Sequence, residues 1–361
     1  MVNDMANIYL QSGFIDFGKL SSLSSTLNIV LGPRNAGKTY GALLHYTQCR
    51  VPFVFMRTAK SQIDLVFSED LSPFNKINAD TGSRFCPEKI KGSGGLIGIY
   101  DNFTVDDHGK HATGELTGYC LSLAQVGATR GFNLDTVEVV LYDEFVKHQG
   151  EIIRNENKQF TMYADIIFTL NRAREVEGRK PIKQWLFGNS DDLSNNILME
   201  LSLVNIIINM KLKHENYRKL PERDISIFLL DDSPVAARLR ETSKLSKIFA
   251  GTSYLDMAYG NEFINDDFSD CKPMSISSFN PEFVYGNICI YRHKSKDLYY
   301  VRAVKDTSVF NGIPVYATDD KGTINARDNH AGLYFSWLAG IVYFETYAVK
   351  VKFLRLFDLV K

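Results

Sequence analysis

The sequence predicts an α/β protein in three parts: a domain of parallel strands over residues 1–208, a helical linker or lid over 209–265, and a small α+β domain over 266–361. Three observations carry that reading. A glycine-rich phosphate loop follows an apolar strand near the N-terminus; an acidic pair ends another apolar strand about a hundred residues later; and beyond Pro273 the texture changes to short aromatic strands and turns.

At 361 residues the chain is long enough for more than one domain. A hydrophobic content of 45% and a charged content of 23% are those of an ordinary soluble globular protein, and 24 Phe with 18 Tyr supply a core. The net charge of −1 gives a weak overall field, so any grip on a polyanion has to come from local basic patches. The cysteines (Cys49, Cys86, Cys120, Cys271, Cys289) are odd in number and have no C-x-x-C spacing, which argues against a zinc or redox pair and suits reduced thiols in a cytoplasmic protein. The N-terminus, with Asp4 and Asp16, lacks a signal-peptide profile. The most apolar run, 201–210, is interrupted by Ser202, Asn205 and Asn209 and spans about half a bilayer, so no membrane insertion is expected.

Residues 1–26 have a weak pattern and read as a lead-in. Leu27-Asn28-Ile29-Val30-Leu31 is a buried strand that runs into Gly32-Pro33-Arg34-Asn35-Ala36-Gly37-Lys38-Thr39, and Tyr40-Gly41-Ala42-Leu43-Leu44 starts a helix. The spacing G-x-x-x-x-G-K-T between strand and helix is that of a phosphate-binding loop. Its glycines let the backbone wrap a triphosphate, its amides and the helix N-terminus present partial positive charge, Lys38 neutralises the terminal phosphates, and the Thr39 hydroxyl ligates Mg²⁺. The expected ligands are therefore ATP and Mg²⁺. Residues 51–58 read as a second parallel strand whose end carries Arg57, at the sheet edge where α/β proteins place ligands.

Residues 69–118, rich in Gly, Asp, Asn and Lys, read as a hairpin-rich excursion, with His108 and His111 in a solvated loop because no third ligand stands at metal-binding spacing. Residues 119–124 read as another buried strand. Then Val137-Glu138-Val139-Val140-Leu141-Tyr142-Asp143-Glu144-Phe145 delivers two carboxylates at a strand tip. Asp143 is placed to hold the Mg²⁺ shell beside Thr39, and Glu144 to face the water that attacks the γ-phosphate. The acidic pair, with strand 119–124 as an extra strand inserted between the two phosphate-site elements, favours a RecA-like additional-strand, catalytic-glutamate (ASCE) ATPase. Residues 157–177 have helical spacing (Phe160, Tyr163, Ile166, Ile167, Leu170), and Trp185-Leu186-Phe187-Gly188-Asn189 is a further strand whose tip residue, Asn189, is the candidate γ-phosphate sensor. Basic residues dominate 209–247; they either line a nucleic-acid channel or form a solvated helix face. A helix is expected from Pro234. Residues 283–291 and 298–304 read as a hairpin around 293–297, where Arg292, Lys294, Lys296 and Arg302 alternate with Tyr291, Tyr299 and Tyr300, a mixture suited to phosphate contact and base stacking.

With Arg34 inside it, the phosphate loop is G-x-R-x-x-G-K-T, which resembles the loop of viral double-stranded DNA packaging ATPases, the large-terminase-like motors of small podophages. Arg57, Asp143-Glu144, Gly188-Asn189 and the stretch 251–263 follow the motif order of that family. The resemblance implies a motor that hydrolyses ATP to move double-stranded DNA into a procapsid through the portal, acting in the host cytoplasm as a homo-oligomeric ring, a pentamer by analogy, with a structural RNA in some relatives. It implies an arginine from a neighbouring subunit at the phosphates, for which Arg130 and Arg172, then Arg174, are the candidates. It also implies a C-terminal domain resembling an RNase H-like nuclease; here Tyr285-Gly286-Asn287 has no carboxylate where the nuclease has one, so no nuclease activity is expected. Competing readings are another nucleic-acid motor, such as a helicase or a conjugation translocase, and a nucleotide-switched assembly protein.

Overall fold

The computed structural model describes residues 8–68, 70–93, 96–107, 109–125, 134–147, 158–189, 193–231, 233–252, 255, 258–259 and 268–357. They form two compact units, one of residues 1–197 with 209–265, the other of 198–208 with 266–361.

The strands of the first unit are β1 (Leu27–Leu31), β2 (Phe53–Arg57), β3 (Cys86–Lys89), β4 (Ile97–Tyr100), β5 (Phe103–Asp106), β6 (Gly109–Ala112), β7 (Leu116–Ser122), β8 (Val139–Asp143), β9 (Lys183–Gly188), β10 (Tyr217–Leu220) and β11 (Ile225–Leu229). Nine of them make one sheet in the order β10-β11-β1-β9-β8-β2-β7-β4-β3, and β5 with β6 forms a separate ribbon. From β11 to β7 all neighbours are parallel, while β10, β4 and β3 join antiparallel at the two edges. The central strands are mostly apolar because both faces are covered; every residue of β1, β8 and β11 is buried, the polar Asn28, Asp143 and Ser226 included.

One face is closed by α1 (Phe17–Ser22) and α2 (Lys38–Gln48). Phe17 packs 4.7 Å from Trp185, whose indole N–H donates to Tyr46 at 2.8 Å. Residues before β1, which show little pattern in the sequence, thus supply Ile8, Ile15, Phe17 and Leu20 to the core. On the helix Gln159–Asn171, Tyr163, Ile166 and Leu170 are buried, and Tyr163 stacks on Tyr142 of β8.

Two sequence expectations are corrected here. The strand between β1 and β8 in the sheet is β9; β7, which contains most of 119–124, lies beyond β2, so its place in the chain misleads about its place in the sheet. And 209–265 is not purely helical. β10 and β11 extend the main sheet, because Ile225-Ser226-Ile227-Phe228-Leu229 is a buried parallel strand whose flanking charges mask it. The helix Pro234–Thr242 does follow, capped by Ser233.

The second unit has β12 (Phe279–Tyr285), β13 (Ile288–His293), β14 (Tyr299–Ala303), β15 (Val315–Tyr316) and β16 (Val342–Phe344), in the order β15-β12-β13-β14-β16. β12, β13 and β14 are antiparallel neighbours, while β15 is parallel to β12 and β16 to β14. The run 283–291 is therefore two strands, broken at Gly286-Asn287, where Gly286 takes φ 56° as the first central residue of a two-residue hairpin. The tail, which alternates in part, folds as the helix Tyr347–Leu356, with Val349, Phe353 and Leu356 in the core.

Candidate nucleotide site

The parallel register gathers the chemistry on one rim. Leu31 stands opposite Gly188 and Leu229, Asp143 opposite Phe187, and Met56 opposite Tyr142. The residues just past those positions, Gly32, Glu144, Asn189 and Arg57, therefore emerge together at the C-terminal ends of the strands, where α/β sheets bind ligands.

The loop is built on close approach. A Cβ at Gly32 would lie 2.7 Å from Leu230 Cβ, and the Gly32 N–H donates to Gly188 O at 3.2 Å. Asn35 (φ 62°) and Gly37 (φ 88°) turn the chain through the left-handed region into α2. From outside, the Ile15 N–H donates to Ala36 O at 3.1 Å, and the Phe14 ring lies 3.3 Å from where a Gly37 Cβ would sit. This latch leaves only a weak trace in the sequence, the spacing Ile15, Phe17, Leu20.

Lys38 is buried, and its ammonium donates to Gly32 O (2.7 Å), Pro33 O (2.8 Å) and Asn189 Oδ1 (3.0 Å). The Thr39 hydroxyl donates to Asp143 Oδ1 at 2.6 Å. Arg57 spans the acidic pair, with Nη2 2.6 Å from Asp143 Oδ2 and Nη1 2.6 Å from Glu144 Oε2. Burial pushes the Asp143 carboxyl above the usual carboxylate range, while Arg57 and the Thr39 hydroxyl pull the other way. Glu144 has φ 54°, a left-handed conformation that a non-glycine residue adopts at a cost of about 1–3 kcal/mol and holds only where its surroundings fix it.

These groups border a cleft of about 340 Å³ lined by Arg34, Asn35, Ala36, Gly37, Lys38, Thr39, Tyr40, Asp143, Glu144, Phe187, Gly188 and Asn189. Burial, with a hydrogen bond to Asp80 at 2.6 Å, pushes the Tyr40 hydroxyl up to about 12. Arg57, expected at the nucleotide, is not part of this lining; it engages the carboxylates instead. The site also rests on residues that no motif marks: Leu230 under Gly32, and Gln159 and Asn195 behind Phe145.

The arginine candidates fall elsewhere. Arg130 lies outside the described residues. The helix after β8 begins at Gln159, which donates to Phe145 O beside the site, and ends at Asn171, which accepts from the Ile182 N–H at the start of β9. Its 13 residues carry the chain about 20 Å to the opposite rim, where Arg172 is exposed. Arg174 is buried there, bonded to Lys180 O, Asp135 O and Val137 O and paired with Glu138. That rim is the far side of the sheet from the cleft.

In the second unit, Tyr291, Tyr299 and Tyr300 are buried, so the hairpin presents none of these rings for stacking; they belong to the two apolar layers of the sheet. Arg302 donates to Glu345 at 2.8 Å and Lys294 to Ser277 O at 2.9 Å, while Arg292 lies over the Tyr299 ring. Arg292, Lys294 and Lys296 are exposed at the hairpin turn.

A parallel-rich sheet with a glycine loop, buried lysine and threonine at a helix N-terminus, facing a strand-end carboxylate pair, defines a P-loop α/β protein. The chain belongs to the podovirus DNA encapsidation protein (Gp16) family, which matches residues 10–328. It is 25% identical over 251 residues to the DNA packaging protein of Bacillus phage B103, spanning 68% of this chain and 66% of that protein, just under two thirds. It is 22% identical over 320 residues to the DNA packaging protein of Bacillus phage phi29, spanning 86% and 84%. The fold matches that of the Phi-28 gp11 DNA packaging motor, with a TM-score of 0.62 at 15% identity over 96% of this chain and 99% of that one. The resemblance first carried by Arg34 and the acidic pair is thus borne out at the level of the family.

Proposed function

We propose that this chain is the ATP-hydrolysing motor that drives double-stranded genomic DNA into a procapsid through the portal vertex. The observation that carries this reading is the Thr39 hydroxyl 2.6 Å from Asp143, with Glu144 next on the same strand end. Family membership supports DNA packaging as the setting. The strand order β11-β1-β9-β8-β2, with β9 between the loop strand and the acidic strand, supports a RecA-like ASCE domain.

The residues fit ATP and Mg²⁺. A loop that a Cβ at Gly32 would overfill, with Lys38 at its centre, suits a polyphosphate, and the paired hydroxyl and carboxylate of Thr39 and Asp143 are the oxygen donors a hard divalent cation requires. When bound, Mg²⁺ neutralises charge on the transferring phosphoryl group. Lys38 exchanges its carbonyl partners for phosphate oxygens, and Asn189, already on Lys38, reports that exchange to β9. Glu144 accepts the proton of the attacking water, which requires Arg57 to release its carboxylate. A neighbouring subunit in a homo-oligomeric ring supplies the remaining cation. The ring works in the host cytoplasm during virion assembly; among the described residues no helix is long and apolar enough to cross a membrane.

The second unit we read as a nuclease-like fold without nuclease chemistry: three antiparallel strands with a fourth parallel to the first support the likeness, although β16 joins at the opposite edge. Asp319 caps a helix and Asp306 accepts from the Ser308 N–H, so neither is held for metal. Its exposed Arg292, Lys294 and Lys296 suit a nucleic-acid backbone, either DNA or a structural RNA.

The test is ATP turnover with and without double-stranded DNA and procapsid. Turnover should rise with both and fall about 10²–10⁴-fold in Glu144→Gln, with nucleotide binding retained; stimulation by single strands alone would overturn the packaging reading.

A further inference from the structure

Behind the acidic pair lies a buried polar collar that packing alone does not require. The carbonyl of Phe145, the residue after Glu144, accepts two carboxamide hydrogen bonds, from Gln159 Nε2 at 2.7 Å and from Asn195 Nδ2 at 2.9 Å. The two carboxamides are themselves joined, Asn195 Nδ2 donating to Gln159 Oε1 at 2.9 Å. Gln159 Nε2 also donates to the Tyr142 hydroxyl at 2.9 Å, and that hydroxyl lies 2.8 Å from Thr58 Oγ1. Gln159, Asn195, Tyr142 and Thr58 are all buried.

The connections have a common target. Tyr142 precedes Asp143, Phe145 follows Glu144, and Thr58 follows Arg57, so the collar holds the chain on both sides of the carboxylates and beside the cation that clasps them. Phe145 is fixed at its other end as well, its N–H donating to Phe187 O at 3.2 Å. The peptides on both sides of Phe145 are therefore held, the one after Glu144 through the Phe145 N–H and the next through the Phe145 carbonyl, and they must stay in place for Glu144 to keep φ 54°. A carbonyl with both lone pairs occupied by side-chain amides, beside a left-handed residue, is a way to fix where that residue's side chain starts.

We infer that Gln159 is a positioning residue for Glu144: with Asn195 and Tyr142 it sets the backbone from which the general base reaches the attacking water, and it contributes to turnover and not to nucleotide binding. The inference rests on the reading of Glu144 as that base. It predicts a non-additive relation between the two positions, because a residue that acts only through Glu144 has nothing left to act on once Glu144 is replaced.

The experiment compares full-length wild type, Gln159→Met, Glu144→Gln and the double variant in the assembled motor, measuring ATP turnover, affinity for a non-hydrolysable ATP analogue and the thermal midpoint. Gln159→Met should lower kcat about 10- to 100-fold, leave analogue affinity within about 3-fold, and produce no further loss of turnover in the Glu144→Gln background. Tyr142→Phe, which removes one hydroxyl and keeps the ring, should show the same pattern at smaller amplitude and serves if Gln159→Met does not fold. Wild-type kcat in a folded Gln159→Met or Tyr142→Phe protein, or a loss that multiplies with that of Glu144→Gln, overturns the inference. Unchanged turnover in Glu144→Gln alone would instead overturn the reading of Glu144, a separately visible result.

Discussion

Arg57 and Glu144 are joined Nη1 to Oε2 at 2.6 Å, while the other arm of the same guanidinium holds Asp143 at 2.6 Å. One cation on β2 thus holds both carboxylates at the end of β8. Charge-assisted bonds of this geometry are strong, and removing one partner of a buried pair leaves the other uncompensated. Asp143 is almost fully buried, so Arg57→Ala should lower stability by about 2–4 kcal/mol in urea unfolding of the ligand-free protein. Arg57→Lys, which keeps the charge and loses the fork, should fall between the two. Because Glu144 is part of the same unit, the Arg57→Ala penalty should shrink in a Glu144→Gln background; equal penalties would mean that the two side chains are energetically independent.

Gly188 supports a second expectation. It ends β9 just before Asn189, and a Cβ there would lie 2.9 Å from Val146 Cγ2 and 3.0 Å from both Leu31 Cδ2 and Phe145 Cε1. Its neighbours are side-chain atoms of Leu31 at the end of the loop strand and of Phe145 and Val146 just past the acidic strand, so these buried side chains must shift to admit it. Gly188→Ala should destabilise by about 1–3 kcal/mol through overpacking. It should also weaken nucleotide affinity, since Asn189 is bonded to Lys38. A stable variant with normal affinity in a direct binding assay would show that the rim tolerates displacement.

What could be read from the sequence follows from where the physics is local. Gly32, Lys38, Thr39 and Asp143 could be placed because a loop between strand and helix, and a carboxylate at a strand tip, are short-range patterns. Asn189 could be placed for the same reason. The order of strands in the sheet is not local: 119–124 is inserted in the chain between the two motifs, yet β9, far along in sequence, is the strand that separates them in space. Arg57 shows a further limit. Its position at the rim is a matter of strand length, but its pairing with the two carboxylates depends on register between β2 and β8. β11 was obscured by charged flanks, and Gln159 and Asn195 carry no motif because their role comes from a carbonyl they meet in three dimensions.

Arg172 and Arg174 separate two roles that the sequence leaves together. The Arg174 guanidinium satisfies three backbone carbonyls, those of Asp135 and Val137 ahead of β8 and that of Lys180 ahead of β9, and pairs with Glu138. Arg174→Ala strands those carbonyls in a buried site and should cost about 2–4 kcal/mol in thermal or urea unfolding. Arg172, exposed at the same rim, should change stability by no more than about 0.5 kcal/mol when replaced by Ala. Turnover of the isolated subunit should also stay near wild type, since the helix places Arg172 about 20 Å from its own cleft; in the assembled motor the outcome depends on the neighbouring cleft. A large loss of turnover in Arg172→Ala would show that the far rim of one subunit meets the phosphates of the next.

In the second unit, His330 gives a pH dependence with a definite sign. Its ring stacks on Phe283 at 3.8 Å, with Glu282 Oε1 3.6 Å from Nδ1 and the Tyr316 hydroxyl 3.4 Å from Nε2. Burial holds the imidazole below its ordinary value, and the pull of Glu282 in the other direction is the smaller effect. The folded state therefore binds a proton less readily than the unfolded chain, and stability rises with pH across that interval. The contribution is present above the unfolded value of about 6.5 and is lost as the pH falls through the lower folded value. Amide exchange in β12 and β13, corrected for intrinsic rates, should show less protection at pH 5 than at pH 7.5. His330→Phe keeps an aromatic ring against Phe283 and removes the titration, so it should flatten that difference. An unchanged difference would assign the pH dependence to other groups in the unit.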